Sequence, residues 1–144
     1  GVLLYLLQEQ KFNADELSAF LYNNCGLLGV SNISNDMQKL IASKESSAKK
    51  AMQLFCYFAA QELGKLLVSL QGCDAIVFTA GIGERSPDVR EQICAWLKWF
   101  GVSLDADANR KNMNIISSVD SKVLVSVIPT NEEYIIAKHV KNLI

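Results

Sequence analysis

The sequence predicts an α/β fold, a helical first half followed by strand, helix, strand and helix. Three observations lead there. Residues 75–79 form a short apolar, β-favouring run, as expected of a buried strand. Residues 123–128, apolar apart from Ser126, form a second. Ahead of both, residues 47–70 repeat apolar side chains at helical spacing, from Ala48 through Phe55 and Leu63 to Leu70. Two parallel strands make a poor sheet alone, so further strands are expected from sequence outside these 144 residues or from another chain.

Residues 2–7 read as a helical piece. Asn13 and Glu16 have the spacing of a capping box, and the helix they open places Leu17, Phe20 and Leu21 on one face before stopping near Gly26. Residues 29–36 are small and polar, as in a loop; Ser34 or Asn35 can then cap a short helix carrying Met37, Leu40 and Ile41. The apolar arc of 47–70 is wide, so that helix lies largely inside or carries an oligomer interface, and Gly72 ends it. Residues 87–100 form a helix burying Val89, Ile93, Leu97 and Phe100, stopped by Gly101. Residues 105–112 are polar, a turn or a short helix, and Ile115 and Ile116 suit an edge strand. Pro129 has no N–H to continue the second strand, and Thr130 can cap a last helix that packs Tyr134, Ile135, Ala137 or the stem of Lys138, and Val140.

Half of the residues are apolar and the net charge is −1, which suits one domain with its own core. So even a balance gives no reason to expect nucleic acid or an anionic membrane surface as partner. The longest wholly apolar runs fall far short of the roughly 20 residues that span a bilayer. No basic region with a cleavage site marks a signal peptide, and a start at Gly1 rather than Met suggests a fragment or a processed product. Cys25, Cys56, Cys73 and Cys94 form no CxxC pair, and the single histidine, His139, cannot complete a Cys/His zinc set. They are expected as buried thiols in a reducing cytosol rather than as disulfides.

The most informative stretch is 74–88. After the first strand, Gly81 and Gly83 allow a tight turn with positive φ and close approach to the backbone. Ser86 can serve as N-cap, Pro87 suits the first helical position and Asp88 favours the positive end of the dipole. Strand, glycine turn and helix start in a row put free amides at the C-terminal edge of a sheet, where α/β proteins bind phosphates and nucleotides. The same turn also occurs where nothing binds. Two known motifs are ruled out: Ser86 stands where the dinucleotide motif has its third Gly, and no Lys-Ser/Thr pair makes a P-loop. A β-branched side chain at Gly83 is expected to block the approach of a phosphate.

Residues 78–84 (Phe-Thr-Ala-Gly-Ile-Gly-Glu) and, further on, 127–133 (Val-Ile-Pro-Thr-Asn-Glu-Glu) resemble the C-terminal part of the acetate kinases. Residues 26–29, 34–36 and 101–105 extend the resemblance, in the family's order, through essentially the whole chain. It implies a ribonuclease H-like, actin-like ATPase domain of the acetate and sugar kinase, heat-shock 70 and actin superfamily. Residues 1–144 would be a single C-terminal nucleotide-binding subdomain of a larger kinase whose N-terminal half is absent. The family moves the γ-phosphoryl group of ATP to acetate, giving acetyl phosphate and ADP, with Mg²⁺. Its members are cytoplasmic homodimers, and helix 47–70 is a candidate for part of that contact.

Three sites carry over from the resemblance. Gly81, Ile82, Gly83, Glu84 and Arg85 match the family's nucleotide loop, and Asp36, Met37 and Gln38 match its adenosine-binding segment. Glu132 matches a carboxylate that helps hold Mg²⁺, an oxygen ligand suited to a hard cation. Read without the resemblance, Asp36 is a helix cap and Glu132 a first-turn carboxylate favoured by the dipole. Arg85 stands where the family commonly has Asn, and Gln38 where it has Arg, which removes a planar cation from the nucleoside. No catalytic residue is assigned within this chain: the resemblance puts the catalytic Arg and His residues, and the acetate site, in the missing half, and His139, near the chain end on a helix, reads as a surface residue. Propionate and butyrate kinases share these motifs. Gln38 and Arg85 also leave room for a non-catalytic interaction domain that keeps the fold.

Overall fold

The computed structural model describes residues 1–141, apart from the side chains of Glu132, Ile135, Ile136 and Ala137. The chain forms two compact units, residues 1–56 and 57–144, with the boundary inside one long helix.

The first unit is helical, as expected. Helices α1 (Val2–Gln8), α2 (Ala14–Asn23), α3 (Gly26–Ser31) and α4 (Met37–Ala42) precede the start of α5 (Ser46–Leu70). Asn13 and Glu16 form the anticipated capping box: the Asn13 side chain accepts from the Glu16 amide, and the Glu16 carboxylate accepts from the Asn13 amide, both at 2.9 Å. Leu40, Ala48 and Ala51 make a buried cluster against which Leu27 packs. Residues 29–31, read as loop, instead finish α3, which ends on Asn32 in the left-handed region at φ 54. Asparagine tolerates that region better than most residues, which suits it to the C-cap.

The second unit contains the sheet. Strands β1 (Ala75–Phe78) and β2 (Leu124–Val127) pair in parallel, Ala75 opposite Leu124 and Phe78 opposite Val127. Ile76 and Phe78 are buried, but Val77 is 49% exposed, so β1 alternates where a strand buried on both faces was expected. Residues 114–117 run antiparallel beside β2 through the bridge Ile115–Ser126, close to the anticipated edge strand, and Ser117 in turn bridges to Leu104.

Between the strands lie α6 (Ala80–Arg85), α7 (Pro87–Ala95), a 3₁₀ turn (Lys98–Phe100) and α8 (Ala106–Arg110). The helix expected over 87–100 therefore breaks after Ala95, and Gly101, at φ 93, ends the 3₁₀ turn. Asp105 caps α8 by accepting from the Asp107 and Ala108 amides. Val89, Ile93, Leu97, Val102, Ile116 and Val125 are all 5% exposed or less and form the interior of this unit. The last helix, α9 (Glu132–Lys141), is capped by Asn131, which accepts from the Tyr134 amide, and not by Thr130. Tyr134 and Val140, expected to pack inward, are exposed; Ile135 and Ala137 lie among the side chains outside the described residues.

Cys56 and Cys94 are buried, Cys25 and Cys73 half-buried, and none of the four is in a disulfide. Burial pushes the Cys56 thiol up to about 11 and the Cys94 thiol up to about 12, so both are protonated at neutral pH. No described helix is long and apolar enough to cross a membrane.

Candidate functional site

The ends of the two parallel strands are stitched together. Ile128 donates its backbone N–H to the Phe78 carbonyl at 2.9 Å, and the Thr79 hydroxyl donates to the Ile128 carbonyl at 2.8 Å. The segment that leaves this edge begins with Ala80 at φ 58, a left-handed conformation that a non-glycine residue adopts at a cost of roughly 1–2 kcal/mol. Such outliers gather where surrounding structure over-determines the backbone, active and binding sites among them.

A short helix replaces the expected glycine turn. Gly81 and Gly83 sit inside α6 with no positive φ, and the left-handed residue is Ala80. The two glycines also face different surroundings. A Cβ on Gly83 would lie 3.4 Å from the Phe78 carbonyl carbon and 3.5 Å from its Cβ, ordinary van der Waals contact with the end of β1. A Cβ on Gly81 would meet nothing within 4 Å.

Glu84 faces the second strand's exit. One carboxylate oxygen accepts from the Thr130 amide at 2.8 Å and from the Thr130 hydroxyl at 3.0 Å. The Thr130 amide, more than any other group, holds the Glu84 carboxyl below the usual carboxylate range. The acid therefore ties α6 to the connection that opens α9 two residues later. Ile82 is half-buried and Arg85 exposed. Ser86 occupies the N-cap of α7 without a side-chain cap bond, Pro87 takes the first helical position and Asp88 lies in the first turn.

Arg90, which no sequence motif singled out, is the most buried side chain near this segment, at 0% exposed. Its Nη1 donates to the carbonyls of Gly83 (2.8 Å) and Glu84 (3.0 Å), and its Nε to Asn109 Oδ1 (2.8 Å). Its Nη2 donates to the Asn109 carbonyl (2.7 Å) and to Asn112 Oδ1 (2.6 Å). Burial lowers its pKa, but a guanidinium stays charged in proteins. A signal for it existed: Arg90 shares helical spacing with Cys94 and Leu97, on the buried stripe of its helix.

In the other unit, Asp36, Met37 and Gln38 start α4. Asp36, rather than Ser34 or Asn35, is the cap: its Oδ1 accepts from the Gln38 amide at 2.9 Å. The Ser34 hydroxyl accepts from the Asp36 amide, and the buried Ser31 hydroxyl from the amides of Ile33 and Ser34. Asp36 and Gln38 are exposed, whereas Met37 is 3% exposed and its side chain belongs to the interior. Glu132 begins α9, and its side chain lies outside the described residues. His139 is exposed on the same helix. Among the described residues no three His, Cys, Asp or Glu side chains gather as a metal site would require.

β1 and β2 pair in parallel with the left-handed Ala80 just past the end of β1, and the C-terminal strand ends are where open α/β sheets as a class bind ligands. Residues 1–138 match the model of the acetokinase family, and the chain belongs to that family. It is 46% identical over 140 residues to an acetate kinase of Rickettsia prowazekii, covering 97% of this chain and 36% of that protein. It is 48% identical over 145 residues to an acetate kinase of Rhodopseudomonas palustris, again over 36% of the relative. The chain thus spans little more than a third of the length of the curated relatives it matches. Among solved structures it resembles Porphyromonas gingivalis acetate kinase, with TM-score 0.86, 32% identity, and 99% of this chain against 37% of the other. A propionate kinase from Francisella tularensis gives TM-score 0.88 at 32% identity, over 99% of this chain and 38% of the other. The expected fold class therefore holds: this is an α/β portion of an acetate kinase-type domain.

Proposed function

We propose that this chain is the C-terminal nucleotide-binding part of an acetate kinase, which transfers the γ-phosphoryl group of ATP to acetate and yields acetyl phosphate and ADP. One observation carries the reading: in an acetokinase-family chain, the strained segment 79–85 leaves the C-terminal edge of the parallel pair with Gly81 open. Gly81, Ile82, Gly83 and Arg85 would contact the nucleotide by backbone and charge, and Glu84 would hold that backbone in place through Thr130. Asp36 and Gln38 would contact the adenosine, with Met37 acting as the buried anchor of their helix.

In this reading Glu132 is the carboxylate that would help hold Mg²⁺. Mg²⁺ keeps waters and phosphate oxygens and needs only one or two carboxylates, so the single Glu132 suffices where a three-ligand cluster is not required. When bound, the ion neutralises charge on the phosphates. The residues of this chain bind and orient. The positive charge that stabilises transfer comes, in this reading, from residues outside positions 1–144. The likeness to a propionate kinase keeps propionate as the alternative acceptor. The intact protein would be a cytoplasmic homodimer, with the exposed Phe58, Leu66, Val68 and Leu70 of α5 as part of the contact.

Calorimetry with Mg-ATP tests this. The chain is expected to bind weakly, to lose affinity on Glu132→Ala, and to turn over no acetate by itself. Absence of Mg-ATP binding, or binding indifferent to Glu132→Ala, would overturn the nucleotide or the metal assignment respectively.

A further inference from the structure

We propose that Arg90 is a positioning residue for the nucleotide segment, fixing the end of α6 through the carbonyls of Gly83 and Glu84; this rests on reading 79–85 as that segment. Both carbonyls belong to the last turn of α6, where intrahelical donors run out. The natural partner of the Gly83 carbonyl, four residues on, is the amide of position 87, and that residue is Pro87, which has no N–H. Nη1 of Arg90 supplies the missing donor at 2.8 Å and reaches the Glu84 carbonyl as well. The cation also sits at the negative end of that helix.

Every one of the five guanidinium donors has a partner, and all five acceptors are neutral oxygens. Burying a cation without a carboxylate is costly; here hydrogen bonds from all five donors offset that cost, and an apolar replacement would leave their acceptors without a donor. What the guanidinium adds is shape. Its rigid planar fork sets three pieces of chain at fixed separations: the end of α6, the end of α8 at Asn109, and Asn112 just beyond it. Asn109 reinforces this by donating to the Pro87 carbonyl at 3.0 Å, and Asn112 is itself left-handed at φ 50. Residues 83 and 84 are thereby held from one side by Arg90, while the Glu84 side chain is held from the other by Thr130. A lysine could keep the charge but could not span these acceptors.

The test compares Arg90→Lys, Arg90→Met and Asn112→Gly in this chain. Asn112→Gly removes one acceptor of Nη2, leaves the two α6 contacts, and introduces no backbone strain at φ 50. Mg-ATP affinity is measured by calorimetry, folding by circular dichroism, and local order by amide hydrogen exchange. The expected result is native dichroism for Arg90→Lys or Arg90→Met, exchange accelerated at 82–86, and affinity reduced at least roughly tenfold. Asn112→Gly should change affinity less than about twofold. Equal loss in Asn112→Gly, or failure of both Arg90 variants to fold, would make the role one of general stability and overturn the proposal. Unchanged affinity in a folded Arg90 variant, beside a parent chain that binds, would overturn the proposal alone. A parent chain that does not bind Mg-ATP would overturn the nucleotide reading, and the positioning role with it.

Discussion

Two segments are candidates for nucleotide contact, and they are held in opposite ways. Residues 31–38 are fixed locally: Ser31, Ser34 and Asp36 each accept from an amide two or three residues on. Residues 79–90 are fixed from afar, by Thr79 to Ile128, Glu84 to Thr130 and Arg90 to Asn109, at sequence separations of 49, 46 and 19. A chain of local turns forms with its own helix and costs little loop closure, whereas the second arrangement exists only once the parallel pair has closed. The difference teaches where rigidity matters. The segment that would face phosphates is over-determined, down to a left-handed alanine, while the segment that would face the nucleoside is a capped helix start.

The largest effect on this contrast is expected at Glu84. Glu84→Ala should release the exit of β2, seen as faster exchange of the Thr130 amide, with little change at Gln38. Acid should do the same. The folded pKa of Glu84 is lowered, so its contribution is present above the unfolded value, about 4.3, and is lost as pH falls through the folded value. Protection of the Thr130 amide should therefore hold steady from neutral pH to that range and fall only below it. Loss of protection already at pH 6 would mean that something other than the carboxylate holds Thr130.

A smaller and purely local effect is expected at Asp36. Asp36→Ala should destabilise the chain by about 1 kcal/mol in urea, the usual worth of an N-cap. Asp36→Asn keeps the capping oxygen and should be nearly neutral for stability. If it nevertheless weakens Mg-ATP binding, Asp36 is a ligand as well as a cap; if neither stability nor affinity moves, it is a cap only.

The same contrast explains what could be read in advance. The capping box of Asn13 and Glu16, the long helix, and both strands were legible, because each comes from spacing within a few residues. Even the short helix at 37–42 was legible, and of the caps weighed for it, Ser34, Asn35 and Asp36, the last is the one that caps. What was missed is non-local or chemically silent. Nothing about alanine announces a left-handed conformation at position 80, so the glycines beside it drew the expectation instead. The tie from Glu84 to Thr130 could not be read because the two lie 46 residues apart, and Arg90 stood out in no motif because its acceptors are backbone carbonyls and asparagine oxygens. At the candidate site, the family resemblance named the stretch, and the structure shows which of its residues are tied to which.

The claim that 79–85 takes the nucleotide is tested most directly at Gly81, where fold and ligand predict opposite signs. Alanine there meets no atom within 4 Å and should stabilise the chain by about 0.4–1 kcal/mol through a less free unfolded state. The account predicts that Gly81→Ala, and more strongly Gly81→Val, binds Mg-ATP more weakly in calorimetry than the parent chain. Parent-like affinity in both variants would contradict it.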